Sequence, residues 1–150
     1  MLRTTILTLL MVCTTAAHSA DDPASRLRGA RSLRCTYTSS VETTVRSGHR
    51  SIEQTNDKGA AVYDDINVVK GTARIIANGG ASDVVVWRDR QENLWMLERT
   101  PSGNEVVTTV FPMYAEGTDE LVVLESRHWL AIGGQIAAGE TAYGTCRILE

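Results

Sequence analysis

One short polar run, Ser126-Arg127-His128, carries side chains whose types could do chemistry. It follows a strongly apolar stretch and precedes Trp129, and these four residues form the candidate ligand-binding site. Arginine binds carboxylate and phosphate groups through a planar fork of donors. An Arg and a His placed at the mouth of a barrel would therefore suit an anionic group. The structural alternative is that Arg127 pairs with an acidic residue and fixes the end of a strand.

The residue types do not favour catalysis or metal binding. Ser126 and His128 would share one face of a strand, but no orienting partner or oxyanion hole is evident. Beyond residue 20 the only histidines are His49 and His128, which lack metal-ligand spacing. The pairs 64–65 and 119–120 are acidic but have no calcium-loop spacing around them, which is typical of solvated surface charges. We therefore predict no catalytic residue, no metal and no cofactor, and we predict that the protein is not an enzyme.

A basic cluster lies near the N-terminus of the chain. It could contact an anionic membrane surface or an acidic patch on a partner, and the alternative is a solvated segment whose arginines offset nearby acids. Its members are Arg26, Arg28, Arg31 and Arg34.

Three tryptophans could line an apolar ligand pocket, as aromatic residues often do. They are Trp87, Trp95 and Trp129. Trp87 and Trp95 flank a predicted hairpin, which favours a place in the core or in the cover of a barrel.

Residues 1–20 predict a cleavable secretory signal. Arg3 is followed by the apolar stretch Thr5–Cys13 and then by small residues, with cleavage expected after Ala20 and with Ser19 and Ala17 as the alternative positions. The apolar stretch is about half of the roughly 20 residues needed to span a bilayer, so we expect no stable membrane anchor. The expected location is the periplasm or the extracellular space.

Removal of the signal leaves 14 basic residues against 18 acidic ones, a formal net charge of −4. A surface that binds nucleic acid is normally basic, so this balance argues against a nucleic-acid partner. Two cysteines remain, Cys35 and Cys146, and an even pair in an oxidising compartment predicts one disulfide. The alternative is a pair of unrelated buried thiols.

The rest of the chain has the composition of β-strands. The predicted domains are the signal 1–20, a lead-in 21–31 with a short helical segment, and a single β-domain over 32–150. Strand-forming residues alternate with turn signals such as Asn78-Gly79-Gly80 and Pro101-Ser102-Gly103-Asn104. The predicted strands are 32–39, 42–47, 61–68, 71–78, 83–89, 94–100, 105–112, 121–127 and 142–149. Residues 129–141 are either a loop or a short helix.

Eight or nine short strands predict a sandwich or a closed barrel. The cysteines favour the barrel, because the first and last strands of an up-and-down barrel are neighbours and could bring Cys35 within reach of Cys146. A sandwich with adjacent terminal strands would satisfy the same constraint. The prediction is an all-β, small antiparallel up-and-down β-barrel of about eight strands.

Several short motifs resemble a family of small secreted bacterial proteins with a calycin-like β-barrel. They are TTVF at 108–111, SRH at 126–128, YGTC at 143–146 and GTARIIANGGA at 71–81. The resemblance covers roughly residues 60–148. It implies a calycin-like barrel and implies no activity. The G-x-W signature of lipocalins is absent near the first strand, so lipocalin ligand chemistry does not carry over.

The orientation of strand 121–127 decides which candidate residues face the barrel interior. Burying Ser126 costs less than burying an unpaired Glu125, so we predict that Ser126 and His128 face inward and Arg127 outward. The strands 83–89 and 121–127 are apolar on both faces, which predicts a cover from the N-terminal segment, the 129–141 segment or a second copy of the chain.

Two functional interpretations follow from this architecture. The first is a non-catalytic binding module that holds a small apolar or amphipathic ligand inside the barrel, because about eight strands leave room for one small ligand. The second is a protein-interaction module, an inhibitor or envelope accessory protein, that uses the apolar outer face. A homodimer is compatible with the second interpretation.

Overall fold

The computed structural model describes residues 22–56, 59–100, 103–131 and 136–149. The predicted signal lies outside these residues, as do Pro101 and Ser102 of one predicted turn. Among the described residues, one helix and nine strands confirm an all-β fold with a short N-terminal helical segment. The elements are α1 (Pro23–Gly29), β1 (Ser32–Arg46), β2 (His49–Thr55), β3 (Gly59–Asn67), β4 (Thr72–Ala77), β5 (Gly80–Arg88), β6 (Leu94–Arg99), β7 (Glu105–Tyr114), β8 (Leu121–Ala131) and β9 (Ile136–Leu149).

The strands form a closed antiparallel barrel. Each strand from β3 to β9 pairs with the next along the chain, β1 pairs with β3, and β9 returns to pair with β1. These eight strands close the barrel, as predicted. β2 is an additional strand that pairs with β1 beyond the stretch of β1 that β3 occupies. The two-residue turn Asn78-Gly79 joins β4 to β5, and Gly80 takes the positive φ of 113° that glycine accepts.

The predicted disulfide is present where the barrel closes. Cys35 of β1 lies directly opposite Cys146 of β9, both side chains are fully buried, and their sulfurs are bonded. The bridge links residues 111 positions apart. A closed loop of that length stabilises a fold by roughly 4–5 kcal/mol in the chain-entropy model. The bonded pair fits an exported protein, because disulfides persist in oxidising compartments.

Helix α1 closes one end of the barrel. The Asp22 carboxylate accepts hydrogen bonds from the first free backbone N–H groups of the helix. Pro23 occupies the first turn, where a backbone N–H would have no partner within the helix, so its missing N–H costs nothing. Leu27 is fully buried against the barrel core, which contributes roughly 2 kcal/mol of apolar burial. The guanidinium of Arg88 on β5 donates to the Leu27 carbonyl at 3.2 Å and holds the helix in place. In the part of the chain that the structure describes, α1 is the only helix, and its seven residues are too few to span a bilayer.

The half of the barrel next to α1 is filled by side chains. Inward-facing residues from all eight barrel strands meet there in one continuous cluster. Its largest fully buried members are Tyr63, Leu27, Leu33, Leu94, Met96, Leu121, Val86, Val110 and Val123. Apolar burial of this extent is the main stabilising contribution to a domain of this size.

Strand β1 is longer than predicted, because the segments 32–39 and 42–47 belong to one strand. A register shift between Tyr37 and Ser39 marks a bulge in its pairing with β9. One extra residue in a strand exchanges the two faces beyond it. Tyr37 faces inward before the bulge, and Ser40 faces inward after it.

Gly144 of β9 allows the two strands to lie together at this bulge. It is paired with Tyr37, and a Cβ atom added to Gly144 would collide with the carbonyl oxygen of Thr36 and lie 2.8 Å from the Tyr37 Cα. Real Cβ atoms essentially never approach other atoms so closely. The bulge therefore requires glycine on the neighbouring strand.

The interpretation of 129–141 as a loop or a short helix is wrong for the residues that the structure describes. β8 continues to Ala131 and β9 begins at Ile136, with Trp129 paired to Ala138. The start of β9 pairs with β8 on one side and with the end of β1 on the other, so its backbone groups are satisfied on both edges.

The outer face of β5 is not covered by any described residue, contrary to the expectation of a cover. Val85 is 56% exposed and Trp87 is 40% exposed. Trp87 stacks on Trp95 of β6 across the ladder, with ring centroids 5.9 Å apart and planes 10° from parallel. The indole N–H of Trp95 is satisfied by Asp89 at 2.9 Å. Trp87 is therefore a surface residue. That a second copy of the chain covers this face of β5 stays a prediction.

Candidate ligand-binding site

The predicted orientation of β8 is wrong. Leu121 and Val123 are fully buried and Glu125 is only 5% exposed, so these residues face the interior. Arg127, two residues further on, lies on the same face, because alternate residues of a strand share a face. Arg127 therefore points into the open end of the barrel.

Glu125 can be buried because Arg127 neutralises it. The guanidinium Nη2 of Arg127 donates to Oε1 of Glu125 at 2.7 Å and its Nε lies 3.4 Å from a carboxylate oxygen of Glu140. The prediction rested on an unpaired Glu125, and the cost of burying a carboxylate falls sharply once it is paired and hydrogen-bonded. The structural alternative for Arg127, pairing with an acid at the end of a strand, is the one observed.

The other candidate residues divide between the two faces. Ser126 is half-buried and His128 exposed on the outer face, where the His128 ring lies against Gly139. Trp129 returns to the inner face and lines the same pocket as Arg127. The structure thus brings Arg127 and Trp129 together and separates them from Ser126 and His128.

The inner face of β8 forms one wall of a pocket at the open end of the barrel, opposite α1. We call it the mouth pocket. Its volume is about 510 Å³. It is lined by Tyr37, Ser40, Glu42, Gly59, Asn104, Glu125, Arg127, Trp129, Glu140 and Ala142. Half of these lining residues belong to the first strand, β1, or to the last strand, β9, because these two strands are neighbours in the barrel.

The charges of the mouth pocket hold Arg127 in its cationic form. Partial burial works against the cation, but the hydrogen bond to Glu125 and the charges of Glu125 and Glu140 outweigh it and raise the pKa of Arg127. Arg127 therefore acts as a fixed positive charge between two carboxylates. It is a poor site for the anionic ligand that the sequence suggests, since two carboxylates already offset its charge.

A layer of hydrogen-bonded polar groups separates the mouth pocket from the apolar core. The hydroxyl of Tyr63 lies 2.8 Å from that of Thr108, and both side chains are buried. The Ser40 hydroxyl is 2.9 Å from that of Thr55. Burial and the negative charge of Glu125 raise the pKa of Tyr63 well above its ordinary value, so this phenol stays protonated.

Tyr37 belongs to the same layer, and its hydroxyl lies next to Tyr63 and Glu125. The residue is only 6% exposed and lines the mouth pocket. Burial, followed by the proximity of Tyr63 and Glu125, raises the pKa of Tyr37 far above its usual range. The Tyr37 phenol therefore stays protonated within the buried polar layer.

The acidic pairs have structural roles on the surface. Asp64 accepts two hydrogen bonds from Arg74, at 3.0 and 2.7 Å, which lowers the pKa of its carboxyl. Glu120 accepts hydrogen bonds from Thr145 and Arg147, and these lower its pKa. In the part of the chain that the structure describes, no group of three or more His, Cys, Asp or Glu side chains could hold a metal ion.

The N-terminal arginines mainly contact the end of the barrel that α1 closes. The Arg26 guanidinium lies 5.8 Å from the centre of the Tyr114 ring, and Arg28 pairs with Glu92 at 3.3 Å. Arg31 donates to the Ile66 carbonyl at 3.2 Å. Of these three contacts, only that of Arg28 offsets an acid, while Arg26 and Arg31 contact an aromatic ring and a backbone carbonyl.

Comparison of the chain with protein-family models, with curated proteins and with solved structures finds no match. The resemblance to a secreted bacterial family therefore stays a prediction.

Proposed function

We propose that the protein is an exported, non-catalytic binding module that receives a small amphipathic ligand at the mouth of its barrel. The mouth pocket carries this proposal. α1 and the packed core fill the opposite half, whereas about 510 Å³ at the open end is bordered by polar groups and the indole of Trp129. A pocket with a few convergent polar groups is the usual form of a small-molecule site.

The amphipathic character of the ligand is inferred from the lining. Trp129 and Ala142 offer apolar surface, while Glu42 and Glu140 offer polar atoms within the same pocket. A ligand with both kinds of surface could satisfy both. The disulfide supports a location in the periplasm or the extracellular space, where such bonds persist.

Ala142 provides a direct test, because its buried methyl group lines the pocket. The purified wild-type protein and two variants are incubated with a metabolite extract, washed and analysed by mass spectrometry for retained compounds. Ala142→Phe fills the mouth pocket, while Ala137→Phe adds the same ring at an exposed position of the same strand.

We expect a compound that wild type and Ala137→Phe retain and that Ala142→Phe loses. Thermal unfolding followed by circular dichroism shows whether both variants are folded. Equal retention by all three proteins, or no retention by folded wild type, would contradict the proposal.

A second candidate function is protein interaction through the outer face. It is favoured by the exposed apolar side chains Val85, Trp87 and Tyr143, which lie on that face of β5 and β9. Scattered exposed apolar residues are ordinary on protein surfaces, which makes this the weaker candidate. Cross-linking in the native envelope fraction tests it: Trp87→Ser should abolish a cross-linked partner that Ala142→Phe retains.

A further inference from the structure

Strand β2 presents an unpaired edge. Its seven residues pair with β1 on one side, and no strand of the described chain pairs with the other side. Six of the seven residues are exposed. An edge strand presents a row of backbone N–H and C=O groups, and such groups pair readily with another extended chain. The free edge of β2 therefore offers a template for one more strand.

The edge lacks features that commonly block such pairing. Natural edge strands are often protected by proline, by lysine or by a β-bulge. β2 has the sequence HRSIEQT, without proline or lysine, and its register with β1 continues without a shift along its whole length. Its one apolar residue, Ile52, lies at the centre of the strand on the outer face and is 62% exposed. A regular strand with an exposed isoleucine at its centre is suited to pairing.

The order of residues in β2 fits a second copy of the same strand. A two-fold axis through Ile52, perpendicular to the sheet, makes two β2 strands antiparallel and keeps the inner face of each on the same side. All seven residues of each strand then have a partner directly opposite, and no like charges are opposed. The opposed residues of the two copies are Ile52 and Ile52, Ser51 and Glu53, Arg50 and Gln54, and His49 and Thr55.

The neighbouring registers that keep the faces aligned fit less well. An axis through Glu53 places this carboxylate opposite its own copy, although Glu42 of β1 already lies opposite it on the other side. An axis through Ser51 opposes only five residues of each strand and places Ile52 opposite a charged Arg50. With the axis at Ile52, His49 of the second copy lies diagonal to Glu53, where its imidazole N–H can reach the carboxylate.

We propose that β2 is a dimerisation edge, at which a second copy of this chain adds its own β2 and continues the sheet across a two-fold axis at Ile52. Seven opposed residues form about six to eight interstrand hydrogen bonds. Because the contact is small, we expect a dissociation constant on the order of 10–100 μM. The inference is independent of the mouth pocket and so goes beyond the proposed function.

Sedimentation velocity of the full disulfide-bonded protein tests the proposal. The weight-average mass of the wild type should rise about two-fold between roughly 1 and 500 μM. Amide hydrogen exchange, measured over the same range, gives a second readout on the unaltered protein. Exchange should slow with concentration in β2, because pairing protects the N–H groups that point away from β1, and should stay unchanged in β5.

A charge placed on the two-fold axis faces its own copy. Ile52→Lys and Ile52→Glu should therefore each stay monomeric, whereas an equimolar mixture of the two should form a heterodimer, because opposite charges are then opposed. Val69→Lys is the matched control: it adds the same charge at a position that is 99% exposed beside α1, and it should dimerise like the wild type. Circular dichroism shows that each variant is folded.

Several results would overturn the proposal. One is a wild type that stays monomeric throughout the concentration range, even if another protein of the envelope fraction protects β2 from exchange. Another is a dimer that both Ile52 variants retain, because such a dimer uses a different surface. Dimerisation of Ile52→Glu alone, or a mixture of the two folded variants that stays monomeric, would show that Ile52 does not lie on the axis.

Discussion

The pairing of Glu125 with Arg127 makes a strong prediction about stability. Replacing Arg127 by Met keeps most of the side-chain volume but removes the cation that holds a buried carboxylate. The Glu125 side chain is 6% exposed and that of Arg127 is 47% exposed, and their closest atoms are 2.7 Å apart. The variant therefore leaves Glu125 largely desolvated and without its main partner.

The exposed fractions of the two side chains set the size of the expected loss in the free energy of unfolding. Removing one partner of a fully buried ion pair costs about 3–5 kcal/mol, because the remaining charge is left uncompensated. Water reaches the exposed half of Arg127 and reduces this to about 1.5–2.5 kcal/mol. Arg99→Met is the matched control: Arg99 pairs with Glu105 at 2.8 Å, but both side chains are exposed, so about 0–1 kcal/mol is expected.

Urea unfolding of the disulfide-bonded protein at pH 7, followed by circular dichroism, measures both losses. A double-mutant cycle with Glu125→Gln isolates the pair, and the double variant should be at least about 1 kcal/mol more stable than the sum of the single changes predicts. If Arg127→Met loses no more than Arg99→Met, or if the cycle is additive within about 0.5 kcal/mol, the explanation for the orientation of β8 fails.

Four further predictions concern the barrel and its export. Replacing Cys35 and Cys146 by Ala should lower the free energy of unfolding by about 2–5 kcal/mol, and free thiols in non-reducing peptide maps of the wild type would contradict the bridge. Gly144→Ala should cost at least about 1–3 kcal/mol in thermal unfolding, whereas Gly79→Ala, which has no atom within 4 Å of the added Cβ, should cost less than about 0.5 kcal/mol. Because the hydrogen bond from a threonine and the pairing with an arginine lower its folded-state pKa, Glu120 stabilises the fold above its unfolded pKa of about 4.3 and loses this effect as pH falls through the lower folded value. Glu120→Gln should flatten that acidic part of the melting-temperature curve, and an unchanged curve would refute the role. N-terminal sequencing of the exported form should begin just after the predicted signal, and a protein retaining its first methionine would refute cleavage.

The barrel itself follows from local and pairwise signals. Asn78-Gly79 marks the hairpin between β4 and β5, and the positions of Cys35 and Cys146 indicate which strands close the sheet. The strand over residues 49–55 has no comparable signal. All of its residues but Ile52 are polar, and the strand is largely exposed on both faces, so no alternation of apolar side chains distinguishes it from a loop.

The site could be predicted only in part, because its geometry depends on two non-local facts. Alternation from Cys35 and Tyr37 would place Glu42 on the outside, and the bulge in β1 reverses this. Glu140 meets Glu42 only through the register of the first and last strands. Arg127 carried a usable signal, since a residue two positions from Glu125 on a strand shares its face and could have been assigned as its partner.

The ladder between β1 and β9 also determines when the domain can finish folding. β1 is synthesised first and its partner last, and the bridge at their junction spans 111 residues. Contacts of such sequence separation require an unfavourable loop closure before they are stabilised, and folds dominated by them take milliseconds to seconds. Until β9 arrives, the long edge of β1 remains an open template for any other extended chain. The unfinished domain is therefore exposed to unwanted strand pairing along that edge until β9 has joined β1.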